Sequence, residues 1–413
     1  MNWLNNFSVL AIGFFIRIYS VFSPKAKKWV DGRKNWEASL DSIPTNQTII
    51  WFHCASLGEF DQGLELMFLL KKRSPSSLIV VTFFSPSGME HYQKRKNCVD
   101  YALYLPLDTP RNAQLFIEKL APDYAIFIKY EFWANFIFAA KKKGVVLLSV
   151  STLLRRNQVY FKFYGGFFRK VLRSFDYFFV QNKVTADLLH SIQITNVEIT
   201  GDTRFDRVLA NKQLSLTSME SESQNDHLFN AFLNGEKAII FGSSWQVEEE
   251  FLEALLASGS NRKIILAPHD IQEINVKRLV SRLGDKAIRY TEFNDFKEQQ
   301  VLLLDTIGQL SMAYYYGDIA VIGGGFSGKL HNILEPLAFG LPVIFGPKHS
   351  KFPEAGQAIK NQFAFSVSST AEFLEAIQLI SKDIEEMQAL SMNFILDNSG
   401  ASMKISENQL FTF

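Results

Sequence analysis

GDIAVIGGGFSGKLHNILEPLAFGLPVIFGPKHSKFPE, residues 317–354, reads as strand, glycine turn, helix, strand and loop. The apolar run Ile319–Ile322 predicts a short buried strand, and Gly323, Gly324, Gly325 and Gly328 follow at once. His331 and Asn332 are expected to open an apolar helix that ends near Gly340. Pro342–Phe345 is the next strand, broken by Gly346-Pro347. A turn of this kind aims backbone N–H groups and a helix start at an anion, usually a phosphate.

Gly323, Gly325 and Gly328 also satisfy GxGxxG. A dinucleotide site needs an acidic residue about 20 positions on to hold the ribose. Gly346-Pro347-Lys348 stands there instead, which argues against NAD. Glu335, one turn after His331, is the better ribose carboxylate. Its plainer reading is a first-turn helix charge.

Working outward, the same rhythm fills the chain. Strands are predicted at Ile49–His53, Leu78–Phe83, Tyr101–Leu105, Tyr124–Lys129, Val145–Val150, Tyr177–Val180 and Val197–Ile199, with helices between several of them. Residues 208–236 lose this rhythm and read as a linker or polar helix. Strands resume at Ala238–Phe241, Lys263–Ala267 and Val301–Leu304. Residues 370–413 read as helical. The fold class is therefore α/β, with two Rossmann-like, doubly wound parallel-sheet domains facing a cleft. We divide the chain into an N-terminal segment 1–40, a first domain 41–207, a linker 208–236, a second domain 237–395 and a C-terminal helix 396–413.

At 413 residues the chain has room for two full cores, and 38 Phe suit large ones. The net charge of +1 offers no field for nucleic acid. Cys54 and Cys98 are the only cysteines, so no disulfide framework exists and a reducing compartment fits. The seven His are scattered, and no bound metal is inferred. Residues 3–22 are mostly apolar but contain Asn5, Asn6 and Arg17, and Lys25, Lys27, Lys28, Arg33 and Lys34 follow. This pattern predicts a membrane-anchoring helix, interfacial or marginally spanning, with its basic flank toward anionic lipid. The alternative is a buried helix docked on the first domain.

Small polar and charged residues gather at strand ends. Ser56, Gly58 and Glu59 follow the strand Ile49–His53. Glu59 is a candidate general base, or else a helix N-terminal carboxylate favoured by the dipole. Glu131 follows Tyr124–Lys129 and shares the edge if the two strands are close. Trp133 and Asn135 read as packing and capping residues. In the second half Ser243 and Ser244, Pro268 and His269, and Ile307, Gly308 and Gln309 each follow a strand. Together with Gly325 and Asn332–Glu335 they suit a nucleotide site.

These strings, in this order, resemble the 3-deoxy-D-manno-octulosonate (Kdo) transferases of lipopolysaccharide synthesis. The likeness is carried by Ala55–Glu59, Glu131–Asn135, Gly201–Asp206, His331–Pro336 and Gly346-Pro347, and it extends over nearly the whole chain. It implies a GT-B glycosyltransferase that inverts the anomeric centre without a metal or other cofactor. The first domain would bind the lipid A precursor and the second the donor CMP-Kdo. The family's base falls on Glu59, with Ser56, Gly58 and Glu131 beside the acceptor. Its CMP contacts fall on Pro268, His269, Ile307, Gly308, Gln309, Asn332, Ile333, Leu334 and Glu335. The implied place is the cytoplasmic face of the bacterial inner membrane. Some strings depart from the family. Pro268-His269-Asp270 stands for Pro-Arg-His, Ser243-Ser244-Trp245 for Ser-Thr-His, and Lys129-Tyr130-Glu131 for Glu-Thr-Glu. The family's Gly-Gly-His-Asn reads Lys329-Leu330-His331-Asn332. The other readings are a GT-B transferase for another nucleotide sugar and a non-catalytic nucleotide- or lipid-binding module.

Overall fold

The computed structural model describes residues 2–220, 224–292 and 299–413. β1 (Ile49–Cys54) is buried at every position. A continuous apolar run of this length marks a parallel strand covered on both faces. β2 (Leu78–Phe83), β3 (Tyr101–Tyr104), β4 (Tyr124–Ile128), β5 (Val146–Thr152), β6 (Tyr177–Val180) and β7 (Val197–Ile199) join it. The sheet order is β3-β2-β1-β4-β5-β6-β7, and every pairing is parallel. The chain starts in the middle, winds outward to β3, and crosses back to lay β4 against β1. That crossing makes β1/β4 the switch point, where helices leave the strand ends in opposite directions and a crevice opens.

The second sheet repeats the plan. β8 (Ala238–Ser244), β9 (Ile264–Pro268), β10 (Ala287–Arg289), β11 (Val301–Leu303), β12 (Gly317–Ile322), β13 (Val343–Phe345) and β14 (Ala364–Ser366) stand in the order β10-β11-β9-β8-β12-β13-β14, all parallel. Its switch point lies between β8 and β12. Contacts divide the chain into Met1–Arg207 with Ser399–Phe413, and Val208–Asn398.

Phenylalanine fills both cores. In the first unit the Trp51 ring lies 5.1 Å from Phe116, 5.3 Å from Phe127 and 6.1 Å from Phe136, and its Nε1–H donates to Thr82 Oγ1 at 2.8 Å. In the second, Phe251 stacks on Phe373 at 4.9 Å. Rings of this size bury a large apolar area and lock into offset or edge contacts.

Several elements differ from the expectation. The helix expected from His331 spans only Leu334–Ala338. Pro336 is the reason: a proline is tolerated in a first turn but breaks an interior one, so a helix containing it must begin just before it. The segment 208–236 is largely helical, in Thr203–Glu220 and Gln224–Leu233, and residues 221–223 lie outside the described ones. The short strands β10 and β14 were not predicted: they are the two edge strands of the second sheet, partly exposed, and Ala287–Arg289 and Ala364–Ser366 carry no continuous apolar run. The segment 396–413, expected as one helix, contains the helix Ala401–Ser406 and an irregular end.

The N-terminal helix forms over Asn2–Tyr19. Among the described residues no helix is long and apolar enough to cross a membrane, so the spanning form is corrected. Eighteen residues rise about 27 Å, short of a hydrocarbon core of about 30 Å, and Asn5, Asn6 and Arg17 interrupt them. Of the alternative, the burial is corrected, because Trp3, Phe7, Phe14 and Phe15 are each more than 60% exposed. The docking on the first domain is present: the Asn135 side-chain amide donates to Asn6 Oδ1 at 2.9 Å, and Gly13 is buried against Leu107.

Candidate active site

At the first switch point Ser56 caps the helix Leu57–Arg73, and Glu59 is the third residue of that helix. Ser-x-x-Glu is also the signature of a capping box, in which both side chains bond backbone N–H groups. The structure does not use it so. Ser56 makes no side-chain cap bond, and its hydroxyl donates instead to Glu59 Oε2. Lys129 Nζ stands 3.8 Å from Glu59 Oε1. Lys129 directly follows β4 with φ 64, a left-handed conformation costly for a residue with a β-carbon.

The second unit supplies a contrast. Glu248 holds the same place after β8 as Glu59 holds after β1. Its carboxylate accepts from the Trp245 N–H at 2.9 Å, and the residue is 1% exposed. Glu248 is thus a buried cap. Glu59 is bonded to side chains and reached by water.

β1 and β4 are direct neighbours, so the Glu59 and Glu131 loops leave the same edge together. Burial, then the Glu59 charge, pushes the Glu131 carboxyl up to about 7, against the opposing pull of Trp133 and Lys129. Tyr160 faces the same group: burial and Glu131 raise its hydroxyl to about 12. Burial, Glu59 and Glu131 also raise the Cys54 thiol, so it stays protonated and unreactive. Gly58 is exposed beside them. Trp133 stacks on Phe84 at 4.6 Å. The Asn135 N–H donates to Asp108 Oδ1 at 3.0 Å and its side-chain amide to Asp108 O at 2.5 Å, holding the start of the helix Ala134–Lys142. Lys129 was not among the expected site residues. Its only sequence signal is that it replaces a carboxylate of the resembled family.

At the second switch point the glycine turn packs tightly. A β-carbon on Gly323 would lie 1.9 Å from Ser243 O, and one on Gly325 2.4 Å from Gly346 N. Gly324 and Gly328 have φ 88 and 74. The expected anion cradle is partly filled by the protein itself. The Gly323 N–H donates to Gly242 O, Lys329 and Ser327 N–H to Gly324 O, and His331 N–H to Gly323 O. Asn332 Oδ1 accepts from the Leu334 N–H at 3.0 Å, which engages this side chain just ahead of the short helix.

What the edge presents is an aromatic stack. Trp245 lies on His269 at 4.3 Å, and His269 lies 4.8 Å from His331. Burial, then His269, lowers the His331 imidazole, so it is neutral at physiological pH. Ser244 Oγ is buried with no hydrogen-bond partner. Glu335 sits near Tyr314, whose phenol it helps raise after burial. Tyr314 in turn lies under Gly242, where a β-carbon would meet its hydroxyl at 2.5 Å. Ser243, Ser244, Pro268, His269, Gly325 and Asn332–Glu335 therefore gather around β8, β9 and β12. Ile307, Gly308 and Gln309 follow β11, one strand further out on the same edge, with Ile307 84% exposed. Among the described residues no cluster of three His, Cys, Asp or Glu is placed to hold a metal ion.

Residues 32–207 match the family model described as 3-Deoxy-D-manno-octulosonic-acid transferase (kdotransferase). The chain is 26% identical over 409 residues to the 3-deoxy-D-manno-octulosonic acid transferase of Haemophilus influenzae, spanning 95% of this chain and 93% of that protein. It is 25% identical over 365 residues to the protein of the same name in Rickettsia bellii, spanning 86% and 85%. Among solved structures it is similar to UDP-GlcNAc 2-epimerase from Neisseria meningitidis bound to UDP-GlcNAc, with a TM-score of 0.64, 16% identity, and coverage of 87% of this chain and 98% of that one. At that identity the likeness is one of fold.

Proposed function

We propose that this chain is a glycosyltransferase of the 3-deoxy-D-manno-octulosonic acid transferase family and that it moves Kdo from CMP-Kdo to the lipid A precursor lipid IVA. The match of residues 32–207 to that family's model and the likeness of most of the chain to two such transferases support the reading. The observation that carries the reading is Glu59: a carboxylate at the switch point that the capping box has released to side-chain partners. In the proposed reaction Glu59 takes the proton of an acceptor sugar hydroxyl as that oxygen bonds to the anomeric carbon of Kdo. The bond from that carbon to the CMP phosphate breaks, its electron pair leaves with the phosphate, and the centre inverts. Ser56 and Lys129 orient Glu59. Glu131, protonated below about pH 7, donates to an acceptor oxygen.

Donor binding is assigned to the second unit. Ser243, Ser244, Pro268 and Gly325 shape the edge. Ile307, Gly308, Gln309 and Asn332–Leu334 line the nucleotide, and Glu335 holds the ribose. His269, Lys329 or Lys348 supplies the phosphate charge in place of the family's arginine. The exposed apolar face of Asn2–Tyr19 lies in the membrane interface, at the cytoplasmic face of the bacterial inner membrane. A second reading, transfer from another nucleotide sugar, is favoured by the Trp245–His269–His331 stack, in which Trp245 and His269 stand where the resembled family has His and Arg, while His331 keeps the family's His.

The test is mass spectrometry of lipid IVA incubated with the purified chain and CMP-Kdo generated in place. A gain of one or more Kdo units is expected, and it counts them. No gain from folded, CMP-binding protein would overturn the Kdo assignment. Turnover of another nucleotide sugar would then establish the second reading, and none at all a binding module.

A further inference from the structure

We infer that the loop around Phe163 and Tyr164 is a second contact of this chain with an anionic bilayer surface, in addition to the helix Asn2–Tyr19. Phe163 is 94% exposed and Tyr164 55% exposed, with their rings edge-to-face at 5.1 Å. Two aromatic rings displayed to water at a loop tip are costly unless something covers them.

The loop is built to hold them there. Val159–Phe161 forms a turn of 3-10 helix, and Gly165 closes the loop so tightly that a β-carbon would lie 2.0 Å from Val159 O. The Arg169 guanidinium donates to Tyr160 O at 3.1 Å, Lys162 O at 2.7 Å and Phe163 O at 3.4 Å, which clamps the backbone beneath the rings.

Charge identifies the partner. No Asp or Glu occurs between Glu131 and Asp176, whereas Arg155, Arg156, Lys162 and Lys170 fall within that stretch. Arg155, Arg156 and Lys170 are exposed. The N-terminal segment has the same composition: no carboxylate precedes Asp31. Aromatic tips flanked by Lys and Arg, with no acid among them, fit the headgroup level of an anionic bilayer, where rings sit at the interface and each basic residue gains from the surface potential.

Position supports the same partner. Phe132 lies 5.8 Å from the Tyr160 ring, and Asn135, three residues on, donates to Asn6 Oδ1 at 2.9 Å. The loop and the N-terminal helix thus both adjoin the start of the helix Ala134–Lys142, which leaves the sheet edge holding Glu59 and Glu131. Two contacts flanking that edge would hold it at the level where a lipid-borne sugar is displayed.

The inference rests on the proposed membrane-facing reading of the helix, and the experiment separates the two. The full chain, Phe163→Ser/Tyr164→Ser and Phe7→Ser/Phe15→Ser are sedimented with vesicles of phosphatidylglycerol and phosphatidylethanolamine, and with phosphatidylcholine alone. The wild-type chain is expected to bind the anionic vesicles, more weakly at high salt. The loop variant should bind about tenfold more weakly, with unchanged melting temperature and unchanged turnover of detergent-dispersed acceptor. Wild-type binding retained in the loop variant but lost in the helix variant overturns the loop and leaves the helix reading standing. No vesicle binding by the wild-type chain overturns both. Unchanged vesicle binding with loss of self-association in solution would assign the rings to a second copy and also overturn the inference.

Discussion

Glu59 shows how little separates a structural carboxylate from a reactive one. Ser56 and Glu59 carry the spacing of a capping box, yet the hydroxyl turns to the carboxylate. Glu59→Gln should therefore lower the transfer rate at least about 100-fold, as expected for loss of a general base, while CMP affinity by calorimetry stays unchanged. A parallel loss of CMP affinity would remove Glu59 from the acceptor side. Glu131 makes a second prediction. Its carboxyl, normally near 4.5, is raised to about 7 by burial and by Glu59, so the native state binds more protons than the unfolded chain between those values. Stability from this residue is intact below about pH 4.5 and falls as pH rises toward 7. Glu131→Gln should match the wild type near pH 4. At pH 8 it should be more stable, by roughly 2 kcal/mol once partial exposure to water is allowed for, measured by urea unfolding. Glu59 and Glu131 were both legible in the sequence. Lys129 was not, because its pairing with Glu59 depends on β1 and β4 being neighbours.

The glycine turn after β12 carries a packing constraint that its sequence reading did not include. Its glycines read as a phosphate cradle. Their first duty is close approach, since the turn packs against the ends of β8 and β13. Gly323→Ala would drive a methyl into the Ser243 carbonyl, which cannot yield without breaking the β8 edge. The variant should lose several kcal/mol of stability in the second unit, or fail to accumulate in soluble form. A soluble protein with wild-type stability would show that the approach is looser than the structure has it. The helix after the turn was placed three residues too early because its apolar pattern runs on from Leu330, while Pro336 sets the start.

At the scale of the whole molecule, the last residues return to the first unit. The Asp206 carboxylate accepts from the Gly400 and Ser402 N–H groups, at 2.5 and 2.7 Å. The Arg73 guanidinium donates to Ser406 O and to Phe411 O, and Phe411 packs 5.3 Å from the Tyr124 ring. The string Gly201–Asp206, which carries part of the family likeness, thus helps hold the fold: Asp202 accepts from Gln62 at 2.8 Å and Asp206 secures the tail. Truncation after Asn398 uncovers Ile405 and Phe411 sites in the first core and should cost that unit roughly 3 kcal/mol or more. Hydrogen exchange would show it as lost protection in β1 and β4 with β8 and β12 unchanged. Equal loss in both sheets would mean the tail supports the second unit too.

The sequence by itself determined every strand except the edge strands β10 and β14, and the turns that follow them, because apolar runs and glycine or proline breaks are local properties of the chain. It also carried the strings that relate the chain to Kdo transferases. Only the tertiary structure decided which strand ends stand side by side, so it alone paired Lys129 with Glu59 and stacked Trp245, His269 and His331. It also brought the tail back to Asp206 and raised Phe163 into water. The physical reason is common to all four. Each arises from residues far apart in the chain or from how a loop closes, and these follow from sheet order and packing, which local periodicity does not encode.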